Sequence, residues 1–553
     1  KKRGGHATMK RWLFIFFIPF SLTLAAQEQI NPVIRVERLY DAQLIEVTKP
    51  MLDTSVPDSV LTMNTSFQYS IFDKPLFNLY EFTPLPSATV KTFQTPDRHF
   101  GYINLGTGYP WTPRADIILH TPLGSDWFAG IQARHRSLLD EDTRAATEGS
   151  FTLEHRGKNN TFRIRGLGEH QNNTYADFDI LSSMPGLDRQ NYYNTGVEIE
   201  TYSLNNTPGS WHYYWKSGYR HAKNTILGPF DSLPVIRENI LDIEASTGHC
   251  LAEGFSINIG ASAKFVSNRW TVDGISASRA VLHVFPHILW SGHRYKVGAG
   301  VKIGYLLRPD GNNFGVFPWF DAHLTVADDW LTLYAKMEGT QRLNTYQERM
   351  RENPWVFANE MYDAIIPWHM QAGLTGTLGD RFHYNLYGSY RYTKNQFFYG
   401  TQNNTQGYPG LYDLHYANET RYTAGGSLSF RSDPFEAGVT GEWHHYALSS
   451  GNSPWHKPVW EVSGYARYNW RERIIINATG YWRDACFAPS WIDGAPDVTV
   501  PGFFDLGVRM EYVMNRFLSA YVFGSNLLNK DISYFYLYPN PGLTFGGGVT
   551  FRF

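Results

Sequence analysis

The chain is short of cysteine, of long apolar runs and of net charge, and each shortage excludes something. Two cysteines in 553 residues, Cys250 and Cys486, cannot build a disulfide framework in place of a core. Past residue 26 no stretch approaches the ~20 consecutive apolar residues that a spanning helix needs, so a membrane-embedded form has to cross with strands. The formal charge is −2, from 49 Lys and Arg against 51 Asp and Glu. A balance so close to neutral gives no reason to expect nucleic acid or an acidic polymer as partner. What the chain has in quantity is aromatic side chain, with 35 Tyr, 36 Phe and 17 Trp. Tyr and Trp join an apolar body to a polar tip and collect where hydrocarbon meets water. A mean hydropathy of −0.36 is compatible with that, because only alternate residues of a membrane strand touch lipid.

The start of the chain reads as an export address. Met9-Lys10-Arg11 opens a basic stretch, the apolar run Trp12 to Leu24 follows, and Ala25 and Ala26 end it. This is a signal-peptide pattern with cleavage expected after Ala25 or Ala26, and Lys1 to Thr8 lie upstream of the start. No Cys follows the cleavage site, which argues against a lipoprotein anchor. Residues 27–98 differ in kind. Pro32, Pro50, Pro57, Pro75, Pro84, Pro86 and Pro96 interrupt any long ladder, while Phe67, Tyr69, Phe72, Phe77, Tyr80 and Phe82 make the segment too aromatic for idle linker. It is expected in or under a barrel mouth, on the periplasmic or lumenal side.

From about residue 99 to 553 the sequence is written as segments of roughly ten residues with period-two alternation, separated by turn residues. Leu331, Leu333, Ala335 and Met337 alternate with Thr332, Tyr334, Lys336 and Glu338. Ile474, Ile476, Ala478 and Trp482 alternate with Asn477, Thr479, Tyr481 and Arg483, and Leu506, Val508, Met510 and Tyr512 with Asp505, Gly507, Arg509 and Glu511. A soluble sandwich would alternate too. The rhythm of the connections decides between them: short turns such as Pro122 to Ser125, Gly157 to Asn160 and Gly379-Asp380 alternate with longer connections. The longer ones include Asn172 to Arg189, Ala222 to Glu238, Thr340 to Ile365, Asn395 to Glu419 and Ala485 to Val500. The expected fold is all-β, a transmembrane antiparallel β-barrel of about 22 strands, in the outer membrane of a Gram-negative bacterium. An even count puts both ends on the periplasmic side. That parity leaves Cys250 in a periplasmic turn and Cys486 outside, roughly 30 Å apart across the bilayer and beyond disulfide reach.

The C-terminal strand carries Leu543, Phe545, Val549, Phe551 and Phe553 on one parity, and an aromatic last residue in that register matches the insertion signal of outer-membrane proteins, with Val549, Phe551 and Phe553 as its residues. Gly546 and Gly548 fall on the inner parity, where missing side chains leave room for curvature. The run Asn526-Leu527-Leu528-Asn529-Lys530 and the closing Pro541-Gly542-Leu543-Thr544-Phe545…Phe551-Arg552-Phe553 resemble the last two strands of TonB-dependent receptors. That resemblance covers about the last forty residues and is supported by architecture from 99 onward. It implies uptake of an iron chelate, cobalamin or an oligosaccharide, driven through TonB by an inner-membrane motor that moves a folded plug. The chain departs from the family at the plug: residues 27–98 are about half the expected size and carry neither a convincing TonB box nor a Gly-rich plug pattern. A 22-stranded lumen must be filled or conduct, so the same segment and infolded loops are expected to fill it, or a partner protein supplies what is missing.

No nucleophile, base and orienter declare themselves, so the chain is not expected to be an enzyme, and no cofactor or metal site is expected. His444 and His445 are neighbours on a strand and point to opposite faces, so both cannot ligate one metal without a bulge. Asp140-Glu141-Asp142 lacks the spacing of an EF-hand loop and reads as solvated charge. His212, His221 and His415 stand alone. The most suggestive surface is the connection Asn395 to Glu419, where Phe397, Phe398, Tyr399, Tyr408, Tyr412 and Tyr416 sit among amide side chains. Such a set suits a sugar ring, a partner protein or a loop lid, and these six are the candidate ligand or partner contacts. Lumen charges of mixed sign (Arg163, Arg165, Lys336, Glu338, Arg483, Asp505, Arg509, Glu511) argue against strong ion selectivity. Transport or uptake of a solute is the leading functional expectation, with a non-transporting structural or accessory subunit of an outer-membrane complex as the alternative. Expected partners are outer-membrane lipid, the barrel assembly machinery and either other outer-membrane proteins or a TonB-type motor.

Overall fold

The computed structural model describes residues 100–553, apart from 140–142, 176–187, 205–206, 228–234, 271–275, 358–360, 402–410, 451–452 and 493. The expectations for the signal segment, for residues 27–98, for Asp140 to Asp142 and for Tyr408 lie outside the described residues.

Twenty-two strands, from Gly101–Tyr109 to Thr544–Arg552, form one antiparallel sheet that closes on itself, because the first strand pairs with the second on one edge and with the last on the other. Alternation dictates which face each residue takes: Leu333 is 40% exposed on the outside while its neighbour Tyr334 is 7% exposed on the inside. The outward face carries an apolar band that includes Ile131, Ile257, Val284, Ile303, Met370 and Val439. An aromatic girdle bounds it on each side. Trp127, Trp211, Trp290, Trp330 and Trp470 ring the end with the short turns, and Tyr109, Tyr305, Phe314, Trp460 and Trp482 ring the end with the long loops. Exposed apolar surface between two aromatic rings is what a bilayer solvates and water does not.

Closure depends on glycine. Gly106, Thr107 and Gly108 of the first strand face Gly548, Gly547 and Gly546 of the last. A Cβ on Gly548 would lie 2.2 Å from the Leu105 carbonyl oxygen and 2.4 Å from the Tyr521 hydroxyl. The inner-parity glycines therefore make room for the strand seam itself and for the Tyr521 ring that lies over it.

Several strands run further than their alternation suggests. The predicted connections Ala222 to Glu238 and Asn395 to Glu419 are largely strand, since Trp211–Leu227, Val235–Ala252, Phe382–Thr401 and Tyr412–Arg431 continue well beyond the apolar band. The physical reason is a change of parity. In Trp211–Leu227 the outward face up to Tyr219 is aromatic at Trp211, Tyr213, Trp215 and Tyr219, but beyond it the buried positions are Ala222, Asn224 and Ile226 on the opposite face. Above the bilayer a strand faces water outside and packed protein inside, so its apolar parity inverts and a single alternation count breaks.

Among the described residues, three of the long connections have structure of their own. Residues 343–363 hold the helix Tyr346–Glu352, residues 484–502 hold the paired strands Cys486–Ala488 and Val498–Val500, and residues 526–543 hold the pair Ser533–Phe535 and Tyr538–Pro539. Cys250 lies at the turn end of its strand and Cys486 in a loop at the other end, both as free thiols.

Candidate functional site

The loop end of the barrel is roofed by its own connections. The connection 343–363 starts the roof, and its helix forms where the sequence supplies a cap: the Thr345 hydroxyl accepts from the Glu348 amide at 3.3 Å. Glu238, on the wall strand Val235–Ala252, accepts the free backbone N–H groups of Tyr346 and Gln347 at 2.7 and 2.9 Å and the Asn268 amide at 2.8 Å. A carboxylate at the positive end of the helix thus anchors it to the wall. Arg279 fastens both ends of the connection. Its guanidinium donates to the Asp363 carboxylate, to the Met361 carbonyl at 3.0 Å and to the Asn344 carbonyl at 2.8 Å.

From there the segment crosses the mouth. On one side Gln190 donates to the Pro354 carbonyl at 2.7 Å and Arg351 pairs with Glu169 at 2.8 Å. On the other, the Phe357 and Tyr412 backbones exchange hydrogen bonds with Tyr412 and Trp355 at 2.8 Å, and Lys457 lies 3.9 Å from Glu352. The wall strands carrying Glu169 and Gln190 are far around the ring from those flanking Tyr412 and Lys457, so the bridge spans the opening. Trp355 is its centre. It is 2% exposed, stacks on Tyr538 at 3.8 Å between centroids, meets Phe535 edge-on and has the Arg144 guanidinium 5.2 Å above its ring. The rings of Trp355, Phe535 and Tyr538 join Tyr192, Ile226, Met350, Val356, Leu411 and Tyr412 in one buried apolar cluster. The roof has a hydrophobic core like that of a small domain, half of it donated by the barrel wall.

The candidate contacts read from sequence fall in this roof. Phe397, Tyr399 and Tyr412 are in the cluster, Tyr416 packs against it and meets Tyr362 edge-on at 5.0 Å, and Phe398 is 3% exposed. The Arg349 guanidinium lies 3.7 Å over the Phe397 ring. Val549, Phe551 and Phe553 face outward at 36%, 42% and 51% exposure, on the lipid side of the seam. What sequence reasoning missed is the clamp: Glu238, Arg279, Trp355 and Asp363. Each is an ordinary residue in an unremarkable stretch, and only pairing over long sequence distance brings them together.

Charge holds the roof as well. Burial alone would raise the carboxyls of Glu348 and Glu352, yet Arg342, Lys264 and Arg349 around the first, and Arg349 and Lys457 around the second, hold both below the usual value. Burial pushes the Asp363 carboxyl up to about 6 against the pull of Arg279, and it lowers His456 to about 3, which keeps that imidazole neutral. Under the helix a cavity of about 350 Å³ opens onto the wall, lined by Lys216, Arg220, Asp242, Lys264, His283 and Glu348 among others. Cations and carboxylates alternate around it, with Arg220 3.2 Å from Asp242 and Lys264 3.6 Å from Glu348. The same cross-strand pairing continues around the lumen, as in Arg163 with Glu154 and Glu200 at 2.9 and 2.8 Å and Arg552 with Glu511 at 2.8 Å.

Of the histidines singled out in sequence, His444 points inward and is 5% exposed, while His445 is exposed on the outer face. Among the described residues one group of His, Cys, Asp and Glu brings ligand atoms within 4.8 Å of one another, and it is Glu442, His444 and Glu461. His212, His221 and His415 instead meet Asn258, Asn239 and the Thr401 carbonyl, at 2.8, 2.8 and 3.1 Å.

No family profile matches the chain, and no curated protein matches it. Solved structures do. The FrpB iron transporter from Neisseria meningitidis (F3-3 variant) superposes with a TM-score of 0.65 at 10% identity, over 83% of this chain and 82% of that one. The fold is that of the TonB-dependent receptor barrels. The ferric-catecholate import receptor Fiu from K12 E. coli gives 0.62 at 10% identity, covering 82% and 81%, and the copper transporter OprC gives 0.63 at 12%, covering 82% and 80%. The TonB-dependent receptor likeness read from the last two strands thus extends over the barrel as a likeness of fold.

Proposed function

We propose that this chain is a receptor-like transport barrel of a Gram-negative outer membrane, with its loop end outside, and that the loop roof is the gate a solute has to pass. The observation that carries the reading is the roof. Its apolar core closes the mouth, while the wall beneath it is charged on both signs and leaves a cavity, as a path for a polar solute requires. The similarity in fold to iron and copper transporters supports transport in general and leaves the solute open. In this reading the aromatic residues Phe397, Phe398, Tyr399, Tyr408, Tyr412 and Tyr416 meet the solute or a partner when the roof moves, a TonB-type motor supplies the work, and Val549, Phe551 and Phe553 direct insertion.

A closed mouth equally suits a non-transporting accessory subunit whose roof grips a neighbour. Planar-bilayer conductance of the folded chain separates the two. With the intact roof, rare openings are expected. With Arg279→Ala, which unfastens both ends of the connection 343–363, frequent large openings are expected. Silence from that variant, with its roof shown to be protease-sensitive, sinks the transport reading and turns attention to co-purifying partners.

A further inference from the structure

A second site lies on the lumen wall, outside the roof clamp. Glu442 and His444 are on the strand Phe435–Leu448, Glu461 is near the start of Trp460–Trp470, and Glu442 and Glu461 are direct cross-strand partners. Two carboxylates placed opposite each other repel. The structure nevertheless arranges them with care. Each gives one oxygen to a phenol: the Tyr387 hydroxyl donates to Glu442 Oε1, and the Tyr481 hydroxyl donates to Glu461 Oε1 at 2.9 Å. The remaining oxygens turn toward one imidazole, with His444 Nε2 3.5 Å from Glu442 Oε2 and 3.9 Å from Glu461 Oε2. The other ring nitrogen of His444 lies 2.9 Å from the Thr423 hydroxyl.

We infer that Glu442, His444 and Glu461 form a binding site for a divalent first-row transition metal ion on the lumen wall, with Thr423, Tyr387 and Tyr481 as the groups that orient its ligands. Three atoms converge, one nitrogen and two oxygens, and for each ligand the remote atom is held by a hydroxyl. That is the outer-shell arrangement metal sites use to fix tautomer and carboxylate rotation. Ligands bonded to zinc at about 2.0–2.2 Å lie about 3.4 Å apart in tetrahedral geometry, so the observed separations need only small side-chain rotations. The donor set is borderline to hard, suited to Zn²⁺, Mn²⁺, Fe²⁺ or Co²⁺ and poorly suited to Cu⁺. His444 is buried, and both glutamate side chains are about one-fifth exposed on the lumen side, which gives an entry path. The rival arrangement is an imidazolium bridging two carboxylates, with no metal.

The test uses the full chain folded in detergent, with Zn²⁺ and Co²⁺ as probes. Calorimetric titration is expected to show one tight Zn²⁺ per chain, and Co²⁺ to give a visible absorption band with X-ray absorption showing one imidazole among oxygen ligands. Glu461→Gln, which preserves the acceptor for Tyr481, and His444→Ala are each expected to weaken Zn²⁺ at least a hundredfold in barrels that stay heat-modifiable. Thr423→Val is expected to weaken it about tenfold and Thr423→Ser to restore it. Absence of a stoichiometric Zn²⁺, or equal binding by wild type and Glu461→Gln, overturns the proposal in favour of the imidazolium bridge. Should a variant fail to fold, the cobalt ligand set of the unaltered chain decides alone: several imidazoles, or none, would refute the site.

Discussion

Trp355→Ala tests whether the roof is a cooperative unit with its own core. Trp355 is 2% exposed and touches Tyr538 and Phe535, and its backbone carbonyl receives the Tyr412 amide. Truncating a buried aromatic of this size costs about 3–5 kcal/mol, to which stacking adds about 0.5–1.5. The barrel ladder does not use the indole, so the loss falls on roof closure and not on the wall. At about 1.4 kcal/mol per tenfold, the open population rises by at least about a hundredfold. A native reporter exists in Cys486, which is 5% exposed in a small cluster with Ala488, Val500 and Tyr536, one residue from Phe535. With Cys250 replaced by Ser, the maleimide labelling rate of Cys486 follows the open population, and the variant is expected to label at least a hundred times faster. A rate within twofold of the unaltered chain, in a barrel that still shifts on a gel, would refute the claim that Trp355 and the loop 526–543 open together.

Three further outcomes are expected. Glu238→Gln turns one acceptor oxygen into an amide donor facing backbone N–H groups, at a cost of about 1–3 kcal/mol, and hydrogen exchange at Tyr346 and Gln347 should quicken about tenfold while the wall amides stay protected. Acid should loosen the roof: the carboxyls of Glu348 and Glu352 are held below 4.5, so the stability they give is present above that pH and is lost as pH falls through their lowered values. Asp363 acts with opposite sign, contributing fully below 3.8 and nothing above about 6, so on acidification openings counted in a bilayer should first fall as Asp363 takes up its proton and rise again once the pH drops through the lowered values of Glu348 and Glu352. Gly548→Val places a side chain against the Leu105 carbonyl, at a cost of about 1–3 kcal/mol or more, and the folded, heat-modifiable fraction after refolding in detergent should drop.

The barrel was legible because its rules are short-range. Leu331 to Glu338 and Leu506 to Tyr512 state their faces by parity alone, and the short turns between them fix the count at 22. The roof was not, for two reasons. Residues such as Ala222 and Ile226 obey the inverted parity of a strand with water outside and protein inside, so they read as loop. The clamp joins residues separated in sequence by 84 positions for Arg279 and Asp363 and by 109 for Glu238 and Gln347, distances over which no pattern in one sequence carries information. His444 was half legible: parity separated it from His445, but Glu461 comes from the next strand, and the register that pairs it with Glu442 is a property of the sheet.

The shared core of the roof sets an order of events in the life of the molecule. Trp355 finds Arg144 near the first strands, Tyr538 near the last and Tyr412 between them, so its full set of neighbours is not in place until the first and last strands have met at the glycine seam. A newly closed barrel therefore passes through a stage in which its loop end is not yet roofed, and the roof is the last part of the described fold to set.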